Sequence, residues 1–262
     1  MQNIKTEHIL ADLHVHTSHS YHAYSTLREN LMQAEKRNLK YIAITDHFFR
    51  NTTYGPHSSQ EIARLKALNG ECVRQYNSDP EDKIGIISGI ELNFGHNCDY
   101  PEVIETLGIV LAGFHSWFLN RTQCIIHGGT VGDYVKELLS EMPSDIICHP
   151  ERDLHKLMDT KKEKTEYFNC IVNYAKENDK ILEVNEASLM VYNLCDDMKC
   201  WLKLARDARI PISIGSDAHI DMRVGRFDNA IELLNEVSYP LSLVVNADEE
   251  WLKNKAIPYK NG

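Results

Sequence analysis

The chain has 262 residues, 43% of them hydrophobic, and a formal net charge of −10. That length suits a single domain over residues 1–262, since a barrel of alternating strands and helices runs to about 250 residues. No apolar run approaches the roughly 20 residues that span a bilayer, and the acidic balance argues against a nucleic-acid partner.

The N-terminal stretch MQNIKTEHILADLH lacks the basic region and apolar segment of a secretory signal. The seven cysteines are odd in number and form no CxxC pair, so a reduced, cytoplasmic chain is expected. Seven short apolar runs then recur along the chain: HILADL (8–13), YIAIT (41–45), IGIIS (84–88), GIVLAG (108–113), DIIC (145–148), ILEVN (181–185) and ISIG (212–215). Their continuous apolar character suits strands buried on both faces of a parallel sheet. Between them, Thr26 and Glu29 have capping-box spacing, with Leu27, Leu31 and Ala34 recurring on one helical face. Further helices are expected near 58–77, 131–142, 163–178, 196–208 and 226–236. The segment 114–130 fits no element well. A run LSLVVN near 241 and a last helix DEEWLKN close the chain. Strands alternating with helices imply right-handed βαβ units and an α/β fold.

Each apolar run gives way to polar residues. His14-Val15-His16, with His22 further on, comes after the first, and Asp46-His47 after the second. Glu91 ends the third and His115 comes after the fourth. Cys148-His149-Pro150-Glu151 succeeds the fifth, Asn185-Glu186 the sixth and Ser216-Asp217-Ala218-His219 the seventh. In a barrel these ends converge on one rim, where such folds place their active sites. A single histidine at a strand end is more often a core or surface residue, and Glu91 or Asp217 could equally be a cap or an ion-pair partner. Seven histidines and two carboxylates at matching positions are harder to attribute to chance. His14 and His16 lie two apart on a strand and share a face. Nine ligands divide naturally among three ions, because a catalytic zinc takes about three protein ligands and keeps a position open. Imidazole and carboxylate without thiolate suit zinc, manganese or iron.

The remaining features read more plainly. His8, His57, His96, His127 and His155 read as solvated, whereas His19 competes with His22 for a place in the set. Cys148 reads as a small core hydrophobe rather than a nucleophile, and Asp46 as a group that orients a ligand. Arg152, and the pair Arg223 and Arg226, come after metal motifs and could bind phosphate oxygens through the guanidinium fork; each could equally be a solvated loop charge. No heptad run points to a partner chain.

The stretches DLHVHTSHSYHAYSTL, AITDH, SGIELN, AGFH, ICHP, EVNEAS and IGSDAH, in that order, together resemble the PHP family of polymerase and histidinol phosphatase domains. HAYSTL points to its small stand-alone bacterial phosphoesterases. The resemblance implies a distorted seven-stranded (β/α)7 TIM-like barrel and a trinuclear metal centre. It assigns His14, His16 and Asp217 to a first ion and makes Glu91 a bridge to a second held by His115 and His149. His22, His47 and His219 then take the third. It leaves His19 and Glu186 without a role. The function implied is hydrolysis of a small phosphomonoester by a metal-bound hydroxide, with Asp217, His219 and Glu91 central to catalysis. Bound metal lowers the pKa of water to about 7 and supplies the positive charge that the acidic chain lacks. Histidinol phosphate is a candidate substrate. A phosphodiesterase would use the same ions but want a basic track. An amidohydrolase usually takes one or two ions, and a retired regulatory domain would have lost ligands.

Overall fold

The computed structural model describes residues 3–20, 22–48, 84–93, 107–113, 129–152 and 157–256. The helix expected at 58–77 and residues 114–128 lie outside them. Strands β1 (Ala11–Val15), β2 (Tyr41–Ile44), β3 (His47–Phe48), β4 (Gly85–Asn93), β5 (Ile109–Gly113), β6 (Ile146–Cys148), β7 (Ile181–Asn185) and β8 (Ile212–Gly215) are all paired in parallel. β2 and β3 form one stave broken at Thr45 and Asp46, since Ile44 pairs with Ser88 and His47 with Glu91 in the same register. The order β1-β2-β4-β5-β6-β7-β8 is therefore seven staves wide. A bridge between Val15 and Ala218 brings the last stave round to the first. There Ala218 O accepts from His16 N and His14 O from Asp217 N, each at 2.9 Å. The result is a nearly closed (β/α)7 barrel.

Each strand is apolar on both faces because it packs two ways. Ile42, Ile44, Ile86, Val110, Ile147, Val184 and Ile214 join the large cluster with the helices. Ala11, Leu13, Ala43, Ile87, Ile109, Leu111, Ile146, Cys148 and Ile181 form a second, inner cluster. Leu252 of α7 (Glu249–Lys255), fully buried, enters that inner cluster as well. Along the inward face the character then changes: Ile87 gives way to Glu91, Ile181 to Glu183 and Asn185, and Leu111 to Gly113. The barrel is thus filled with hydrocarbon at one end and with charge at the carboxy-terminal end of its strands.

Two sequence expectations shift. The first strand begins at Ala11 because Thr6–His8 turns as a 3-10 helix. Its register against β2 then slips by one residue between Asp12 and Val15. This bulge lets Leu13 and His14 both face inward, where strict alternation would allow only one. The run LSLVVN is not a strand but two 3-10 turns, Leu241–Leu243 and Val245–Ala247, with a single bridge from Val244 to Ile212. In place of a ladder the buried Asn246 side chain wedges between β1 and β8. It donates to Ala11 O and Ile214 O and accepts from Ile214 N.

The helices agree closely with the sequence: α1 (Leu27–Lys36), α2 (Val131–Ser140), α3 (Lys161–Glu177), α5 (Cys195–Ala208), α6 (Asp228–Glu236) and α7. Thr26 and Glu29 make the expected capping box. Thr160 and Glu163 make another, which starts α3 two residues earlier than the periodicity suggested. The short α4 (Glu186–Met190), directly after β7, was not expected. Among the described residues no helix is long and apolar enough to cross a membrane.

Candidate metal centre

The inward ends of the strands place His14, His16, Glu91, His149 and Asp217 together, all buried. His14 Nε2 and His16 Nε2 lie 3.0 Å apart. Glu91 Oε2 is 3.3 Å from the first and 3.5 Å from the second, while Asp217 Oδ1 is 3.5 Å and 3.1 Å away. Glu91 reaches on with its other oxygen to His149 Nε2 at 2.9 Å, and Oε2 also meets His47 Nδ1 at 2.9 Å. His22 and His219 face each other through Nε2 at 2.7 Å. Their rings stack at 4.4 Å between centroids, and the His22 ring lies 5.0 Å from that of His47. The structure thus brings together eight of the nine expected ligands; His115 lies outside the described residues.

Among the described residues, four sets of donor atoms lie within 4.8 Å of one another: His14, His16 and Asp217; His14, Glu91 and His149; His16, His47 and His219; and His14, Cys148 and Glu183. This donor chemistry fits cations. Glu183 Oε1 sits 2.7 Å from His14 Nδ1, so a His14 ring that ligates an ion through Nε2 would carry its proton there. Its Nε2 lone pair then confronts two carboxylates and another imidazole. Lone pairs and anions converging in a buried space are stable only around positive charge. The electrostatics agree. Burial opposes charge on His14, yet Glu183, Asp217 and Glu91 outweigh it and hold the imidazolium form well above its ordinary range. Burial, with His47 close by, pushes His16 well below. Burial would also raise Glu91 and Asp217, but the histidines around both, with Arg152 beside Asp217, keep them firmly ionised.

Backbone and space are arranged around these groups. His149 and Asp217 both have left-handed backbone, with φ of 34° and 53°, which bulky residues adopt only when their surroundings enforce it. A Cβ on Gly113 would fall 2.3 Å from Glu91 Oε1, and one on Gly215 would fall 2.2 Å from Glu183 Oε1. Each glycine leaves the room its neighbouring carboxylate occupies. Asp46 braces the loop beneath His16. It accepts from Thr17 N and from the Thr17 and Ser20 hydroxyls, each at 2.7 Å, and Ser20 Oγ lies 3.3 Å from His16 Nδ1.

The other sequence candidates scatter. Arg152 Nη2 donates to Asp217 Oδ2 and Asn185 Oδ1 at 2.8 Å, and to Ser188 Oγ at 3.3 Å. Its guanidinium also lies 4.8 Å from the Tyr192 ring centroid. Arg223 meets the Met190 sulfur, and Arg226 is exposed; neither contacts a ligand among the described residues. His19 is exposed and paired with Thr17 Oγ1 at 2.9 Å. Glu186, which sequence left without a role, caps α6: its carboxylate accepts from Asn229 N, Asn229 Nδ2 and Ala230 N. Glu151 points away to the Trp201 indole at 3.0 Å, and burial raises its pKa to about 7. Burial and the Glu91 charge push the Cys148 thiol well up, so it remains protonated beside that carboxylate. Sequence reasoning missed two buried carboxylates, Glu183 and Asp12. Asp12 accepts from Ser216 N and Gly225 N and so holds the turn that carries Asp217.

The PHP domain family model matches residues 12–239. A probable phosphatase of Thermoanaerobacter sp. (strain X514) is 29% identical over 94% of this chain and 96% of its own. One of Caldicellulosiruptor saccharolyticus is 31% identical over 91% and 92%. Among solved structures, histidinol phosphate phosphatase from Lactococcus lactis, complexed with zinc, L-histidinol and phosphate, superposes with a TM-score of 0.57. It is 17% identical, over 88% of this chain and 95% of that one. A putative histidinol phosphatase from Listeria monocytogenes gives 0.61 at 18% identity, over 84% and 99%.

Proposed function

The chain belongs to the PHP domain family, and on that premise we propose that it is a metal-dependent phosphatase that releases phosphate from a small phosphomonoester at a centre of three divalent ions, zinc, manganese or iron. The observation that carries this reading is the convergence of His14, His16, Glu91, His149 and Asp217, with His47, His22 and His219 beside them, at one end of the barrel. In the proposed centre His14, His16 and Asp217 hold one ion, and Glu91 shares its carboxylate with a second held by His115 and His149. His22, His47 and His219 hold the third.

When bound, such ions supply an activated water at neutral pH and positive charge for the phosphoryl oxygens. The protein's own groups hold the candidate ligands in place. Asp217 turns one oxygen to the histidines and the other to Arg152, so the arginine is fixed at the edge of the centre, where a phosphoryl oxygen would meet it. Arg223 and Arg226, on the loop after β8, lend positive charge further out. Asp217, Glu91 and His219 are the side chains on which turnover depends most.

The test is phosphate release from a panel of monoesters, with manganese or zinc added and Asp217→Ala as control. Histidinol phosphate belongs in that panel, since a structural relative was crystallised with L-histidinol and phosphate. Release that the substitution abolishes is expected. No release from any metal-loaded sample would overturn the reading and direct attention to diesters and amides.

A further inference from the structure

Glu183 is not among the nine ligands, yet its carboxylate lies at the heart of the centre and is 1% exposed. One oxygen is 2.7 Å from His14 Nδ1. The other accepts from the backbone N–H of His149 at 3.1 Å and from Asn185 Nδ2 at 3.0 Å. A single side chain on β7 therefore touches residues from β1 and from the end of β6 that belong to two different donor sets. Resting on the metal reading above, we propose that Glu183 is a positioning residue for two ions at once: it fixes the ring of His14 and the backbone of His149.

At His14, the ring can ligate an ion through Nε2 only if its proton sits on Nδ1 and the ring faces inward. A carboxylate on Nδ1 enforces both and strengthens the ligand. Without that acceptor, the other tautomer would put a hydrogen where the cation belongs. At His149, the left-handed backbone turns the amide N–H inward, and the anionic oxygen of Glu183 receives it. Gly215 leaves the space that Glu183 Oε1 occupies, so the chain forgoes a side chain on β8 to accommodate this carboxylate. The charge is otherwise hard to justify. Glu183, Glu91 and Asp217 are three buried carboxylates around His14, a set that a metal-free core has no use for.

Glu183→Gln separates positioning from a purely structural role. A glutamine oxygen can still accept from His14, but its amide then faces the N–H groups of His149 and Asn185, donor against donor. Melting temperatures of metal-stripped and metal-loaded protein, metal content, and affinity by chelator competition are the readouts. Stripped Glu183→Gln is expected to melt below stripped wild type, because His14 loses its anionic partner and the amide meets two donors, and the metal-loaded form is expected to lose more. Its affinity for the ions held through His14 and His149 is expected to fall by about 10–100-fold, as for other groups that orient metal ligands, while the third ion stays. Unchanged affinity would overturn the proposal, and so would equal destabilisation of the stripped and loaded forms. Should Glu183→Gln not fold, Glu183→Asp takes its place. It keeps the charge but is one methylene too short to reach both contacts, and the same weakening is expected. A wild type that binds no divalent ion would instead overturn the functional reading beneath this one.

Discussion

Gly215→Ala tests the packing of the centre most sharply. The added Cβ would stand 2.2 Å from Glu183 Oε1 and 2.4 Å from the His14 Cβ, more than an ångström inside ordinary contact on both sides. Neither neighbour can step aside. The His14 Cβ is fixed to a backbone whose carbonyl accepts from Asp217 N at the seam, and Glu183 is held by His14, His149 and Asn185. The strain must therefore open the contact between β1 and β8. Overpacking of this kind costs about 1–3 kcal/mol, and for a chain this long each kcal/mol lowers the melting temperature by about 2–4 °C. Calorimetry of the stripped protein should show a drop of about 2–12 °C. Chelator competition should show metal affinity weakened by about tenfold or more, since His14 is no longer held in place. A variant that matches wild type in both measurements would refute the claim that Gly215 is a glycine in order to admit Glu183 and His14.

Three further outcomes are expected. Leu252→Ala, which empties part of the inner cluster at the end remote from the ligands, should cost about 2–5 kcal/mol of stability in thermal unfolding while metal content stays at the wild-type level; lost metal would mean that the two ends are not independent. Glu186→Ala should lower stability by about 0.5–2 kcal/mol, the range for a lost helix cap, and leave metal stoichiometry untouched; a missing ion would make Glu186 a ligand after all. Iodoacetamide labelling read by mass spectrometry should mark the exposed Cys195 before the other described cysteines and leave the buried Cys148 unmodified in native protein. Early labelling of Cys148 would revive it as a nucleophile.

Much of the fold and of the candidate site was legible because parallel strands buried on both faces leave continuous apolar runs, and because the candidate ligands cluster where those runs stop. The order of the motifs and the shared face of His14 and His16 come from that logic. The bulge in β1 was not legible, since an extra residue in one strand shows only against its partner's register. Glu183 was hidden for a related reason. Within ILEVN it looks like a lone charge in a strand, and Glu186, just past the end, is the more conspicuous carboxylate. Strand alternation puts Glu183 and Asn185 on one face and would have singled out the pair. Nothing in LSLVVN shows that Asn246 bonds through its side chain to Ala11 and Ile214, on β1 and β8. Arg152 could be placed near the site from sequence, but its bond to Asp217 depends on two strand ends meeting across the barrel.

The seam between β1 and β8 also governs the order in which the molecule can be assembled. His16 and Asp217 touch across 201 residues of chain, whereas the other staves pair with partners much nearer in sequence. As the polypeptide leaves the ribosome, β1 finds β2 early, and its other edge stays open until residue 218 has emerged. Non-local closure of this kind is the slow part of folding, and an open edge is the part exposed to other chains. The event that converts the ribbon into a ring is also the event that first places Asp217 against His14 and His16. A chain that stops short of it has neither a sealed barrel nor a complete ligand set, so the ability to capture an ion there reports that the fold has been finished.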